Sequence, residues 1–534
     1  MSELERPNVV WIAMEDTSPR LGCYGDELAR SPNIDRLASQ GRRYENAFAT
    51  APVCAPSRSA VFTGSYQNSI GTHHMRTTHT SDDAPGLATP YDAVPPHYVT
   101  AVTEHFRAAG YYCTLQGKTD YQFGEPITMW DHHDSDAGWW DEAREDDQPF
   151  FAMFTNDVTH ESCMWDTEEN ESLATDPDAV DVPPYLPDTA PTRRSIARQY
   201  DAIEASDEWV GELLDRLDDA GLAEETIVVL WSDHGEGLPR AKRWVYDSGL
   251  QVPLVVRWPG EVDAGTVSDE LVSLVDLAPT MLSACGIDVP PHVQGQSLLD
   301  DEPREHVYAT RDRYDQSYDM VRAVRDKRFK YIRHYSPGTP YRQWVPFRNE
   351  HPAMRELLRL EAEDDLDGDR QWVTDTRPAE ELYDLAEDPH ETTNLAGDPE
   401  YEDRLAQLRT AMDDWMDEVD DLGHVSEAEM VHNRWNGDDQ PQTATPTFVP
   451  NSAENRAVTA KPDGATLTAP ATLSIHCSTQ GASVEYTTGD DGCWSLYTGS
   501  IPLPEGETTV RARAVRYGYE ESAERAATFT VHSE

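Results

Sequence analysis

Four apolar runs in this chain each end in residues able to do chemistry. Val9-Val10-Trp11-Ile12-Ala13-Met14 runs into Glu15-Asp16, and Tyr111 to Leu115 runs into Gly117-Lys118. Phe150 to Thr155 leads to His160, and Thr226 to Trp231 leads to Asp233-His234. Continuous apolar runs of this length suit strands covered on both faces. Between them lie helical patterns, such as Ile203, Val210, Leu213, Leu214 and Leu217. Strand and helix in alternation predict an α/β fold, a mostly parallel sheet flanked by helices. Such sheets bind ligands beyond the carboxyl ends of their strands. All four polar groups sit there, so one cleft can collect them.

A fifth stretch belongs with these. Cys54-Ala55-Pro56-Ser57-Arg58 follows a loop, Thr50 to Val53, and opens a predicted helix from Pro56 to Gly64. Pro suits the first helical position. The Cys54 sulfur then lies at a helix N-terminus, which favours anions, and Arg58 adds a positive fork one turn in. A lone Cys on a loop is usually structural, but here the chain supplies partners for it.

The Cys54–Arg58 stretch, read as C-x-P-S-R, resembles the type I sulfatase family. Glu15-Asp16 followed by Gly22-Cys23-Tyr24-Gly25, Lys118, His160, Asp233-His234 and Lys242 four residues before Tyr246 carry the likeness further. The regions 73–80 (HHMRTTHT) and 159–162 (THES) are similar to the N-sulfoglucosamine sulfohydrolase-like branch. The resemblance spans about 1–425. It implies an alkaline phosphatase-like α/β catalytic domain at 1–300 and a smaller α+β subdomain at 301–425.

The activity it implies is hydrolysis of a sulfuric ester, or N-sulfate, on a sulfated carbohydrate. A maturation enzyme would oxidise Cys54 to formylglycine, whose metal-bound hydrate is the nucleophile. Glu15, Asp16, position 54, Asp233 and His234 would hold one divalent cation. Ca2+ is expected from the resemblance, with Mg2+ as the alternative, because carboxylate oxygens suit hard cations. Arg58, Lys118 and Lys242 would neutralise the sulfate, and His160 or Lys242 would protonate the departing atom. Two positions depart from the family pattern. Glu15 stands where an aspartate is usual, and Asp120 stands where a histidine usually follows the lysine by two. Arg240 and Arg243 are further candidates for anion contact. His73, His74, Arg76 and His79 read as a solvated polar loop, or else as the lining of the substrate mouth. Two other functions fit the same residues: a phosphomonoester or phosphonate ester hydrolase of the same superfamily, and a non-catalytic carbohydrate-binding protein with an unmatured Cys54.

Charge narrows the setting. The 534 residues include 99 acidic against 43 basic ones, a formal net charge of -56 spread along the chain. This suits a halophile surface, where carboxylates hold water and high salt screens their repulsion. Only five of the basic residues are lysines: 118, 242, 327, 330 and 461. Two of those five fall where the resemblance asks for a lysine. Such acidity excludes nucleic-acid binding, which needs a basic face. No apolar run is long enough to span a membrane. Met1 to Pro7 lacks a signal region, so a cytoplasmic location is expected. Seven cysteines, without metal-type CxxC pairs, point to a reduced compartment, with a Cys477–Cys493 bridge as the one candidate disulfide.

The texture changes after residue 300. Val321 to Arg325 and Phe329 to Ile332 alternate around a turn and predict a hairpin. Glu381 to Leu385 follows, then a helix carrying Leu405, Leu408, Met412, Trp415, Met416 and Val419. Residues 426–455 read as a linker, rich in Pro, Thr, Gln and Asp over 438–450. Short alternating segments over 456–534 predict a small β-sandwich appendage, whose expected role is that of a spacer or packing module, with carbohydrate contact as the alternative.

Overall fold

The structure, a computed structural model, describes residues 6–78, 90–165, 172–300, 302–435, 437, 439–489 and 493–533. It divides into two compact units. The first is Met1–Pro90 with Gly117–Gln122 and Met153–His424; the second is Tyr91–Gln116 with Phe123–Ala152 and Val425–Glu534.

The first unit is built on a sheet. Its strands are β1 (Asn8–Met14), β2 (Arg42–Phe48), the end of β3 (Phe150–Asn156), β4 (Thr226–Ser232), β5 (Leu254–Arg257) and β6 (Thr266–Ser273). They are neighbours in the order β3-β1-β4-β5-β2-β6. β1 and β4 pair in parallel register from Asn8–Thr226 to Met14–Ser232. β2 runs parallel to β6, while β5 is antiparallel to both β4 and β2, so the sheet is mixed. β1 and β4 are buried at every position. That is why their sequences are unbroken apolar runs rather than alternating ones.

Helices cover the sheet. α1 (Cys54–Thr63) is buried at all ten positions. Trp11 on β1 meets Phe62 of α1 edge-on at 5.7 Å and Trp231 of β4 at 5.9 Å. All three rings are fully buried, and losing any one would cost about 3–5 kcal/mol. α2 (Ala190–Asp219) buries Ile196, Ile203, Val210, Leu214 and Leu217 along one face, as their spacing predicts.

A second, antiparallel sheet follows. It runs β10-β9-β8-β7, from β7 (Val307–Arg311), β8 (Val321–Arg325), β9 (Phe329–His334) and β10 (Glu380–Asp384). β8 and β9 form the expected hairpin. α3 (Glu402–Glu418) packs Leu408, Met412 and Trp415 with Val324, Tyr331 and Leu382.

The second unit holds two further sheets, of three and five strands, which enclose Phe448, Leu473, Val510 and Phe529. Residues 426–455, expected as a linker, carry the helix Glu427–Arg434 and the strand Thr447–Asn451. That strand pairs with Ala471–His476 as part of the sandwich itself. The unit also takes in residues 91–116 and 123–152. Buried Glu104 accepts hydrogen bonds from Ser483 Oγ at 2.6 Å and from Tyr517 OH at 3.0 Å. Arg107 donates to the Trp494 carbonyl at 3.1 Å and pairs with Glu485 at 3.5 Å. Cys477 and Cys493 are free thiols, so the candidate disulfide is absent. Among the described residues no helix is long and apolar enough to cross a membrane.

Candidate active site

The parallel register of β1 and β4 brings two polar ends side by side. The Asp16 N–H donates to Asp233 Oδ1 at 3.2 Å, and the Asp233 N–H donates to the Met14 carbonyl at 3.3 Å. α1 supplies the third part. It begins at Cys54, two residues earlier than expected, with extended Val53 as its N-cap. Ser57 Oγ donates to the Asp233 carbonyl at 2.6 Å, which ties this helix to the β4 end. Cys54 Sγ then lies 3.5 Å from His234 Nε2.

Ligand-type atoms of Asp16, Cys54, Asp233 and His234 lie within 4.8 Å of one another, and so do those of Glu15, Asp16, Cys54 and His160. The two sets share Asp16 and Cys54. Each of the five residues expected at a metal therefore falls in one of two overlapping groups, Glu15 in the one that also holds His160.

Cations surround the three buried carboxylates. Arg58 reaches Glu15 at 3.0 Å and Asp233 at 3.3 Å. Lys118 reaches Glu15 at 3.0 Å. Lys242 reaches Asp16 at 2.7 Å and Glu161 at 3.2 Å. Burial raises the Glu15 pKa, against the pull of Lys118 and Arg58. Burial likewise works against ionised Asp16, but Lys242 and His234 overcome it and hold its carboxyl well below the usual range. His234, despite its burial, is raised to about 10 by Asp233 and Asp16. Its Nε2 lies 2.9 Å from Asp16 Oδ1, and its Nδ1 meets the Gly235 carbonyl at 3.0 Å. His160 moves the other way, down to about 4, through burial and the nearby Lys242 charge. Three buried carboxylates beside an imidazole, neutralised only by protonated side chains, form a donor set that fits a divalent cation.

The outer part of the site holds what the sequence did not reveal. Glu161 donates its backbone N–H to Asp16 Oδ2 at 2.7 Å, and its carboxylate takes both Lys242 and Arg243, the latter at 2.9 Å. Arg243 also reaches Asp315 at 3.1 Å. Glu161 sits beside His160 in the THES region and could have been suspected there; Asp315 carries no motif signal. Asp120, which looked hostile to an anion, is neutralised by Arg76 at 2.9 Å and Lys118 at 3.3 Å.

Two expectations are corrected. His73 and His74 are buried, neither on a solvated loop nor lining a mouth; His74 Nδ1 accepts from the Arg313 N–H at 3.2 Å. Arg240 is structural: it donates to the carbonyls of His390 and Glu391 and lies 3.9 Å from the Tyr246 ring centroid. His79 lies outside the described residues.

Comparison with known proteins agrees with this geometry. The family model described as Sulfatase matches residues 7–287, and the one described as N-sulphoglucosamine sulphohydrolase, C-terminal, matches 235–351. An ulvan-active sulfatase of Formosa agariphila is 38% identical over 563 residues, covering 97% of this chain and 90% of that relative. The chain belongs to the sulfatase family. Human N-sulphoglucosamine sulphohydrolase is 28% identical to this sulfatase, covering 78% of the chain and 90% of the relative. The solved structure of a 2-O GAG sulfatase has the same fold, with TM-score 0.58 and 22% identity over 78% of this chain and 93% of that one. The sulfatase assignment makes the protein a hydrolase of sulfate esters, and places its fold with the alkaline phosphatase-like α/β proteins.

Proposed function

We propose that this sulfatase removes sulfate from a sulfated polysaccharide or its oligosaccharides. The reading is carried by Cys54. Its sulfur sits at the start of a buried helix, within 4.8 Å of ligand atoms on Asp16, Asp233 and His234. The 38% relative that spans nearly the whole chain is ulvan-active, and the human relative acts on N-sulphoglucosamine.

In this reading Cys54 is oxidised to formylglycine, whose hydrate has the second hydroxyl needed to expel sulfate; a thiol lacks one. Glu15, Asp16, Asp233, His234 and position 54 hold a divalent cation, Ca2+ by family likeness. When bound, that cation supplies positive charge for the sulfate oxygens. Lys118 and Lys242 extend that charge across the pocket. Both are held in the charged form by nearby anions despite burial. Arg58 is fully enclosed and serves to fix Glu15 and Asp233. His160 is neutral above about pH 4. Its Nδ1 accepts from the Ser162 N–H, which leaves a proton on Nε2. That N–H is a hydrogen-bond donor for the departing oxygen.

Two measurements test this. The Cys54 peptide from active protein should be lighter than the cysteine form by roughly 18 Da. Matured protein in high salt should release sulfate from ulvan oligosaccharides, and Cys54→Ala should abolish release. Faster cleavage of an aryl phosphonate than of any sulfate would reverse the choice of substrate.

A further inference from the structure

Arg76 is a cation at this site that the proposed chemistry does not use. Its side chain is 26% exposed, whereas Arg58 and Lys242 are enclosed. It is held firmly. Met75, just before it, donates its N–H to the Arg313 carbonyl at 2.9 Å and bridges Tyr314. Met75 and Tyr314 also pack against Val53 and Cys54. On the other side Gln122 Nε2 donates to Thr77 Oγ1 at 3.2 Å, joining the Arg76 loop to the Asp120 loop.

Both loops carry backbone strain. Arg76 has φ 57 and Asp120 has φ 56, a left-handed region that costs a non-glycine residue about 1 kcal/mol or more. The strained pair meets through Arg76 Nη1 and Asp120 Oδ1 at 2.9 Å. Asp120 is shared with Lys118 at 3.3 Å, so one carboxylate serves two cations. Arg76 Nε and Nη2 make no hydrogen bond among the described residues. Apart from its burial, the groups acting on the Arg76 charge are Asp120, Cys54 and Asp315, and its neighbour Met75 packs with Cys54 itself.

We infer that Arg76, braced by Asp120, binds a second anionic group carried by the substrate close to the scissile sulfate: a sugar carboxylate or a neighbouring sulfate. A guanidinium with two free donors in a fixed fork matches such groups bidentately. In a chain of net charge -56, long-range attraction cannot select a polyanion, and high salt screens what remains. Recognition then depends on a short contact of this kind. Asp120 is a positioning residue that sets both Arg76 and Lys118.

The inference rests on the sulfated-saccharide reading. The test compares kcat and KM for three substrates: a sulfated oligosaccharide containing uronate, the same oligosaccharide after carboxyl reduction, and the reduced one carrying a second sulfate. The parent enzyme should prefer an anionic substrate over the reduced one by about 10–100-fold in kcat/KM. Which one it prefers identifies the group. Arg76→Gln should erase that preference, raising KM on the preferred substrate about 10–100-fold more than on the reduced one. Arg76→Lys should restore part of it. Asp120→Asn should lower kcat on all three, through Lys118. A parent enzyme indifferent to the extra anion, or an Arg76→Gln variant equally impaired on all three substrates, overturns the inference and leaves the saccharide reading intact. If no saccharide releases sulfate, the saccharide reading falls and this inference with it.

Discussion

Buried charge at single residues sets how this protein answers to pH. Arg322 donates to Asp312 at 3.1 and 3.2 Å and to Asp421 at 2.5 and 2.8 Å, all out of water. One guanidinium cannot fully stabilise two carboxylates. Burial pushes the Asp312 carboxyl up to about 7, against the pull of Arg322, while Asp421 is held below its usual value despite burial. Folded Asp312 therefore keeps a proton that the unfolded chain has lost above about pH 4. This contribution favours folding at low pH and drains away as pH rises toward 7. Between pH 5 and 8 the parent should lose on the order of 2–3 kcal/mol more stability than Asp312→Asn. Urea midpoints at fixed high salt would read this difference, and parallel curves for the two proteins would contradict it. Glu15 is a second residue where chemistry differs from expectation. Its longer arm, where an aspartate is usual, reaches both Arg58 and Lys118 without leaving the ligand group.

At the scale of elements, two loops are zipped by glycine. The Gly235 N–H donates to the Gly249 carbonyl at 3.0 Å, and the Glu236 N–H to the Ser248 carbonyl at 3.0 Å. This joins the loop after β4, with Asp233 and His234, to the turn that follows Lys242. A Cβ on Gly249 would lie 2.2 Å from the Ala241 carbonyl oxygen and 2.4 Å from that of Trp244. Gly249→Ala should thus shift the Lys242 loop, lower the melting temperature by several degrees (~1–3 kcal/mol of strain) and reduce sulfate release at the same time. Loss of stability with full activity would separate the loop from the site. The elements that could be read from sequence were those with a strong period or an unbroken apolar run: β1, β4, α2, the β8–β9 hairpin and α3. The residues at their ends were legible for the same reason, since strand ends collect in one cleft. How Arg76, Asp120, Glu161 and Asp315 pair around the site was not. They meet through left-handed loops and long-range ion pairs, which leave no periodic trace. The start of α1 was misplaced because Pro56 is tolerated anywhere in a first helical turn.

For the whole molecule, charge and connectivity decide behaviour. An excess of 56 negative charges makes the compact state repel itself unless counter-ions screen it. Raising KCl from about 0.2 M to about 3 M shortens the screening length from roughly 7 Å to under 2 Å, and the thermal midpoint should climb steadily over that range. A midpoint insensitive to KCl would remove the halophile reading. The second unit makes a separate claim. Glu104 and Arg107 are buried, and their partners Ser483, Tyr517, Trp494 and Glu485 all come from the end of the chain. Ending the chain at His424 would remove those four partners, leaving Glu104 with Thr128, and Arg107 with Asp131 and the Thr128 carbonyl. The truncated protein should aggregate or melt well below the parent, as light scattering and calorimetry would reveal; a soluble fragment of unchanged midpoint would make the sandwich dispensable.

That discontinuous unit also has a consequence in time. A ribosome delivers residues 91–152 long before 425–534, yet the two stretches build one body. Until residues 425–534 emerge, the earlier stretch has no completed core. Cys54 is wholly enclosed once folded, so the oxidation proposed for it would have to precede the closing of its own region. Emergence of residues 425–534 is therefore the event that completes this unit, and a chain stalled before them is left with polar groups waiting for partners that have not yet been made.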